Sequence, residues 1–333
     1  MQRVRLVVPV YNDWTSFSIL LGELDKEAAS LPFRIFVSAI DDGSSEASEP
    51  ELSGCRPPVN LEGVEIVHLL VNLGHQRAIA VGLCLAVDDA DSDAVLVMDA
   101  DGEDPPHTIK MLTETAARRS DFCIVARRRR REETLVFKTG YRVYKFVFKL
   151  FTGKTIDFGN FSLFSIGYAR RLVIVSELWN NLPAAVLHSR LPITPIAVDR
   201  GRRYAGQSKM NMTSLIMHGL SGISVYADTI FVRLLLLSLF LAVVSVIIVS
   251  TLLVLRIFFP AHATPGWATT ISFGLIIIIL QILFTALSSA LTLLNSRVQK
   301  LVQPIADFRS FIGHRSLLWG QRFSSPRASA LEP

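Results

Sequence analysis

From Val4 to Arg131, short β-rich apolar runs alternate with longer stretches of helical periodicity. The runs are VRLVVPVY, FRIFVSAI, VEIVHLLV, AVLVMDA and DFCIVARR. DWTSFSILLGELDKEAAS comes after the first, HQRAIAVGLCLAVDDA after the third and PPHTIKMLTETAARR after the fourth, each with the spacing of a helix. Prolines suit the start of the last one, where a missing N–H is no loss. Strands alternating with helices predict an α/β domain with a parallel sheet wrapped by helices.

The residues at the end of each apolar run carry the chemistry. Tyr11-Asn12-Asp13 ends the first, Asp41-Asp42-Gly43-Ser44-Ser45 the second and Asn72-Leu73-Gly74-His75-Gln76 the third. A carboxylate cluster, Asp99 to Asp104, ends the fourth, and Arg127 to Arg131 the fifth. In open α/β sheets, ligands bind at the carboxyl ends of the strands. Every polar cluster here collects at that edge, so a ligand site is expected there.

The pattern changes after residue 230. Leu234–Phe259 is an apolar run of 26 residues broken only by Arg256, and Trp267–Leu294 runs 28 residues without a charge. Each exceeds the roughly 20 residues that cross a hydrocarbon core. Core helices of a soluble protein usually keep a polar face, which these lack. A transmembrane hairpin is the expectation. PAHATPG between the spans has no Lys or Arg, whereas Arg233 precedes the first span and Arg297 and Lys300 come after the second. The positive-inside rule then places both the first 230 residues and the tail in the cytoplasm, on a multi-pass protein of the inner (plasma) membrane. MQRVRLVVPVYND has too short an apolar run for a secretory signal.

Composition adds little to this and removes some alternatives. Cys55, Cys84 and Cys123 are odd in number, widely spaced and form no C-x-x-C, which fits reduced cytoplasmic thiols and offers no metal site. A formal charge of +5 would suit nucleic acid or an anionic membrane surface. Beside two spans the membrane accounts for it, and nucleic acid is not an expected partner.

Asp99 and Asp101 alternate with Ala100, so on a strand end both point to one side. Two such carboxylates repel unless a cation joins them. Hard oxygen ligands suit Mg²⁺ or Mn²⁺, and Mg²⁺ commonly takes one or two carboxylates together with substrate phosphates.

VVPVYND, DDGSS, NLGHQRAIAVGL, MDADGEDPP, DFGNFSLFS and RRYAGQSKM, in that order, resemble the family 2 glycosyltransferases of GT-A fold. Followed by two spans, they look most like the polyprenyl-phosphate branch, which includes dolichol-phosphate mannose synthases and bactoprenol glucosyltransferases. The resemblance covers roughly residues 3–295 and leaves the sugar unspecified. It implies that Asp42 serves the base and ribose region, with Pro9, Tyr11 and Asp13 lining it. Asp99 and Asp101 go to the nucleotide-sugar and the metal, and Arg127 to the nucleotide-sugar. Glu103, where that branch often has Gln, is a third candidate metal ligand. Asp157 matches the acidic position of D-x-G-x-F, with Asn160 in place of a frequent Asp. Arg203 and Lys209 match the basic positions of R-x-x-G-x-S-K-Y, with Met210 in place of Tyr. Asp101, Asp157, Arg203 and Lys209 are thus the expected catalytic set. Partners compatible with this class are a homo-oligomer and a downstream flippase, in the assembly of a cell-envelope glycan.

The chemistry can be argued independently of the family. A nucleoside diphosphate leaving group needs its developing charge neutralised, which a divalent ion and Arg or Lys can do. An alcohol acceptor usually requires a general base, whereas a phosphomonoester, with a second pKa near 6, is already nucleophilic at pH 7. No acidic pair stands out beyond the donor cluster, so a phosphate acceptor fits, with Asp157 as an orienting or base residue.

Basic residues collect where that acceptor would arrive. Arg118 to Lys154 holds twelve Lys/Arg against three Asp/Glu. Lys138, Arg142, Lys145 and Lys149 form one helical stripe, beside an aromatic stripe of Phe137, Tyr141, Tyr144, Phe148 and Phe151. This is the pattern of a helix lying in the bilayer interface, cations among the headgroups and facing the acceptor phosphate. Met210–Tyr226 is a second amphipathic segment leading into the first span.

The expected organisation is a GT-A domain over 1–208, a juxtamembrane amphipathic helix over 209–232, two spans within 233–295 and a basic cytoplasmic tail over 296–333. The expected activity is inverting, metal-dependent transfer of one sugar from a UDP- or GDP-sugar to an undecaprenyl or dolichyl phosphate. A processive polysaccharide synthase would resemble its family in a Q-x-x-R-W segment and further spans, which this chain lacks. The rivals are a diacylglycerol- or ceramide-type acceptor and a non-catalytic scaffold that binds nucleotide or lipid.

Overall fold

The computed structural model describes residues 2–46, 48, 52–117, 119–128, 145–146, 148–205, 219–258, 266–298 and 302–323. The chain forms two compact units: Met1–Phe146, Lys154–Val225 and Val302–Pro333 make the first, and Val147–Gly153 with Tyr226–Leu301 the second.

The first unit is built on an eight-stranded sheet. Its strands are β1 (Arg3–Val10), β2 (Arg34–Asp41), β3 (Gly63–Leu69), β4 (Ala94–Val97), β5 (Cys123–Arg128), β6 (Ser162–Ser165), β7 (Thr194–Val198) and β8 (Ile312–Gly320), in the order β7-β5-β6-β4-β1-β2-β3-β8. All five expected strands are present. Their runs are almost continuously apolar because helices cover both faces of the sheet. On one face, α1 (Trp14–Ala28) and α3 (Thr108–Ala116) bury Phe17, Leu20, Leu24, Ile109 and Leu112 against Leu6, Val37 and Leu96. On the other, α2 (His75–Asp89), α4 (Ile166–Leu172) and α5 (Leu182–His188) pack on Val7, Ile40, Val67 and Val95.

The sheet is mixed rather than wholly parallel. β6 enters antiparallel between β4 and β5, and β7 adds parallel to β5. SLFS is too short to announce itself as a strand, and it is held by neighbours on both edges. A larger departure concerns the tail. Residues 302–323 are not a separate basic extension: after α8 (Pro304–Asp307), β8 pairs antiparallel with β3 and closes that edge of the sheet. Its arginines read as tail charge in the sequence, yet Arg315 and Arg322 point at Glu65, which is fully buried.

The second unit contains α6 (Ala227–Phe258) and α7 (Trp267–Val298), packed on each other. At about 1.5 Å per residue each is longer than a hydrocarbon core about 30 Å thick. Only 6 % and 0 % of their apolar windows are buried, unlike core helices of a soluble protein. The first helix starts earlier than the expected span, taking in Asp228 and Arg233. Residues 148–152 form a helical segment docked on its start. Phe148 is buried edge-to-face against Tyr226, and Arg233 Nη1 donates to the carbonyls of Leu150 and Phe151 at 2.9 and 3.0 Å. Phe148 therefore packs inside this unit rather than joining an outward aromatic stripe. Phe137, Tyr141 and Tyr144, and residues 209–218 of the expected juxtamembrane segment, lie outside the described residues.

Candidate active site

The turns after β1, β2 and β3 are tied into one surface. Asn12 takes a left-handed backbone (φ 48°), which Asn tolerates better than most residues. Its Oδ1 accepts from the N–H groups of Ser45 and Glu46 at 2.9 and 3.1 Å, while its own N–H donates to Ser44 Oγ at 2.9 Å. Asp41 Oδ1 accepts from Ser44 N–H at 2.9 Å, closing the D-D-G-S-S turn. Both oxygens of Asp42 accept backbone N–H groups, from Leu73 at 2.7 Å and Gly74 at 2.9 Å. Burial nevertheless pushes the Asp42 carboxyl above its ordinary pKa, outweighing those bonds and the nearby His75. Gly43 makes the close approach possible. At φ 68° it has room for no side chain, since a Cβ would sit 2.7 Å from Asn72 N. Pro9 is buried at the end of β1, Tyr11 is 45 % exposed at the rim, and Asp13 leads into α1.

The D-x-D is not on the strand itself. β4 ends at Val97 and the chain turns at Gly102 (φ 86°), so Asp99 and Asp101 come together on a loop rather than by strand alternation. Asp101 Oδ1 accepts from Glu103 N–H at 3.0 Å. Burial, followed by the charges of Asp99 and Glu103, raises its pKa to about 6 against the opposing pull of Glu103 N–H and Arg203.

A strap of residues 199–205 lies over this loop. Gly201 N–H donates to Glu103 O and Tyr204 N–H to Asp101 O, each at 2.9 Å, and the Tyr204 ring covers Gly102. Arg203 is the centre of the strap: Nη1 reaches Asp101 Oδ2 at 3.2 Å and Nη2 reaches Asp13 Oδ2 at 3.0 Å. Arg200 Nη2 meets Glu103 Oε1 at 2.5 Å. Glu103 is thus engaged by an arginine, and among the described residues no three His, Cys, Asp or Glu side chains gather as a metal cage. Asp99, beside His75, and Asp101, beside Arg203, are a pair of hard oxygen donors. That donor set fits a divalent cation shared with substrate phosphates.

His75, Asn160 and His68 gain partners that no local sequence pattern gives. His75, at the start of α2, lies 3.2 Å from Asp99 Oδ1, and Asn160 Nδ2 is 3.0 Å from the same ring nitrogen. The ring is nearly half exposed; partial desolvation disfavours its imidazolium, but Asp99, Asp42 and Asp101 outweigh that and raise its pKa above the ordinary value. Gln76 Nε2 donates to Asn160 Oδ1 at 3.0 Å, and Gln76 Oε1 accepts from Leu182 N–H at 2.7 Å. Asn160 thus stands in a network in which an Asp would add charge beside Asp99. The available signal is a pair of polar residues opening an otherwise apolar helix. His68 is the third, one strand inward.

Arg127 and Asp157, expected in different roles, pair with each other at 2.6 Å. Lys145 is half-buried and Lys149 exposed, while Lys138, Arg142 and Lys209 lie outside the described residues. Cys84 and Cys123 are free and buried, and burial pushes the Cys123 thiol up to about 12.

A mixed α/β sheet that delivers acidic, Asn-rich and Gly-rich turns to the carboxyl edge of its parallel strands defines a GT-A type catalytic domain. Residues 6–174 match the model of glycosyl transferase family 2, and the chain belongs to that family and is a glycosyltransferase. It is 29 % identical over 175 residues to undecaprenyl-phosphate 4-deoxy-4-formamido-L-arabinose transferase of Proteus mirabilis, covering 52 % of this chain and 51 % of that one. With the protein of the same description from Klebsiella pneumoniae strain 342 it shares 26 % identity over 286 residues, 85 % of this chain and 78 % of the other. The chain thus spans about half the length of the first relative and more of the second. Among solved structures it is similar to mannosyl-3-phosphoglycerate synthase from Rubrobacter xylanophilus, at 14 % identity and a TM-score of 0.48, over 68 % of this chain and 73 % of that one.

Proposed function

We propose that this glycosyltransferase moves a single sugar from a nucleoside diphosphate sugar to a polyprenyl phosphate at the cytoplasmic face of a membrane. The observation that carries the reading is the crowded pair Asp99 and Asp101, met by Arg203 at the carboxyl edge of the sheet. Undecaprenyl phosphate is favoured as acceptor by the descriptions of the relatives.

The turn at Asp41 to Ser45, with Tyr11 and Asp13, would receive the nucleoside. Asp99 and Asp101 would hold Mg²⁺ or Mn²⁺. When bound, the ion supplies neutralising charge to the diphosphate as it leaves. Arg203 adds a cation that can pass from the Asp13 and Asp101 carboxylates to the leaving phosphate. Glu103 stays with Arg200 and shapes the loop. Asp157 orients Arg127 toward the substrate phosphates. The attacking oxygen belongs to the acceptor phosphate, already ionised at pH 7, so no side chain has to remove a proton from it.

The topology supports a hairpin by parity. β8 comes after both apolar helices in sequence yet pairs with β3 in the catalytic sheet. On this reading the chain would cross the membrane an even number of times between residues 225 and 302. The Lys and Arg flanks support a cytoplasmic sheet and tail, with the segment around His262 on the other side.

The test uses the full chain in detergent with undecaprenyl phosphate, a panel of UDP- and GDP-sugars, and Mg²⁺ or Mn²⁺. A single radiolabelled sugar appearing on the lipid, and its loss in EDTA, is the expected result. Transfer to diacylglycerol with none to polyprenyl phosphate overturns the acceptor, and full activity in EDTA overturns the metal.

A further inference from the structure

We propose that His68 is a positioning residue for the nucleotide-binding turn and that the C-terminal strand holds it in place. The proposal rests on the reading that the Asp41 to Ser45 turn receives the donor nucleotide.

Asp41, His68 and His314 are register partners across β2, β3 and β8, forming one row on one face of the sheet. His68 Nδ1 lies 2.8 Å from Asp41 Oδ2, and Asp41 Oδ1 accepts from Ser44 N–H at 2.9 Å. Ser44 in turn accepts from Asn12. A carboxylate is an acceptor only, so Nδ1 must carry the proton, and in the neutral ring Nε2 becomes the acceptor. Ser316 Oγ stands 3.4 Å from that Nε2, and the His314 ring stacks on His68 with centroids 4.2 Å apart and planes at 17°. Asp41 thus fixes the tautomer of His68, and β8 fixes the plane of its ring. On the same face of β3, Val64 and Ile66 are plain core residues, so packing alone does not call for an imidazole.

The consequence is that donor capture depends on a strand some 270 residues away in sequence. With an apolar residue at 68, Asp41 Oδ2 would lose its partner in a nearly closed place, and the carboxylate would be free to rotate away from Ser44. The donor affinity should suffer, while the chemistry at Asp101 and the acceptor side should not.

Three full-length variants in detergent test this: His68→Leu, His68→Asn and His314→Ala. Binding of UDP and of GDP, each with Mn²⁺, is measured by calorimetry, alongside donor and acceptor KM, kcat and Tm. His68→Leu should weaken nucleotide binding and raise donor KM by about tenfold, the scale of one hydrogen bond to a charged group. Its kcat and acceptor KM should stay near wild type. His68→Asn, whose Nδ2 can stand in for Nδ1, should recover most of the affinity, and His314→Ala should lose about two- to threefold. Wild-type affinity in His68→Leu overturns the proposal, as does an equal loss in the Leu and Asn variants that merely tracks Tm. If wild type binds neither nucleotide, the reading of the turn itself falls and this proposal with it, an outcome distinct from the variant results.

Discussion

Two clusters of carboxylates and arginines sit in the same sheet domain and behave in opposite ways. In the buried cluster, Glu65, Asp89 and Asp91 face Arg5, Arg315 and Arg322, equal in number. Glu65 and Arg5 are fully shielded from solvent, and Glu65 also accepts from Ser38 Oγ at 2.8 Å. At the carboxyl edge, Asp13, Asp99, Asp101 and Glu103 stand, among the described residues, with Arg200, Arg203 and His75. Those arginine–carboxylate side chains are 19–31 % exposed. The first cluster is balanced around a shielded centre of Arg5, Glu65 and Asp91, with Arg315 and Arg322 at its more open rim, and is read as permanent structure. The edge cluster has no such shielded centre and gathers more carboxylates than arginines among the described residues, which suits a cation or a substrate phosphate.

The largest expected effect comes from removing charge where it is in excess. Asp101→Asn should lower transfer by about a thousandfold, since it removes a ligand placed against the leaving diphosphate. It should not destabilise the fold, because it relieves crowding among Asp99, Asp101 and Glu103. Sugar transfer and Tm on the same preparation check both halves. Near-normal transfer would end the distinction between the two clusters.

The mirror experiment removes charge where it is balanced. Glu65→Gln removes the buried carboxylate that Arg315 and Arg322 each meet at 2.9 Å, while Arg5 keeps Asp89 and Asp91; breaking a buried pair costs about 3–5 kcal/mol. Denaturant midpoints should fall accordingly, while kcat per folded molecule holds. A mild loss of stability with a large loss of kcat would move Glu65 from structure to chemistry. Smaller again is Arg203→Gln. It should reduce kcat about a hundredfold by removing a cation from the leaving group, with less than about 1 kcal/mol of stability lost, because its partners are partly solvated.

The edge cluster is legible in the sequence and the buried one is not, for a physical reason. Asp42 and the Asp99 to Asp104 loop each come directly after a run of apolar strand residues, so the local pattern alone puts them at a strand tip. Arg5 meets Asp89 and Asp91 across more than 80 residues, and Arg315 meets Glu65 across 250. Nothing local distinguishes those arginines from solvated ones. IGHRSLLWG is hidden for the same reason, as an edge strand whose inward charge makes sense only beside Glu65. β6 is hidden by its length. His75 and Asn160 stand in the NLGHQRAIAVGL and DFGNFSLFS motifs, but their meeting at Asp99 depends on the loop into β6, whose path no local pattern gives.

The smallest effect separates the clusters by the sign of their pH dependence, measured as stability in EDTA. Burial alone would raise Asp89, but the hydrogen bonds and charges of Arg315 and Arg5 outweigh it and hold its pKa below the ordinary value. A depressed carboxylate stabilises the fold above its unfolded pKa of about 4, and that contribution is lost as pH falls through the depressed value. Asp101 is raised to about 6, so its ionisation is a penalty that is complete above pH 6 and vanishes as pH drops toward 4. Asp91, raised mainly by burial, acts in the same sense as Asp101, which is why Asp89 must be varied by itself. Asp101→Asn should therefore be more stable than wild type at pH 7, with the gap closing between about pH 6 and pH 4. Asp89→Asn should be less stable at pH 7, with its gap closing only below about pH 4. Curves that converge over the same interval would mean that the two sets of carboxylates feel the same field, and the contrast between the two clusters would have to be given up.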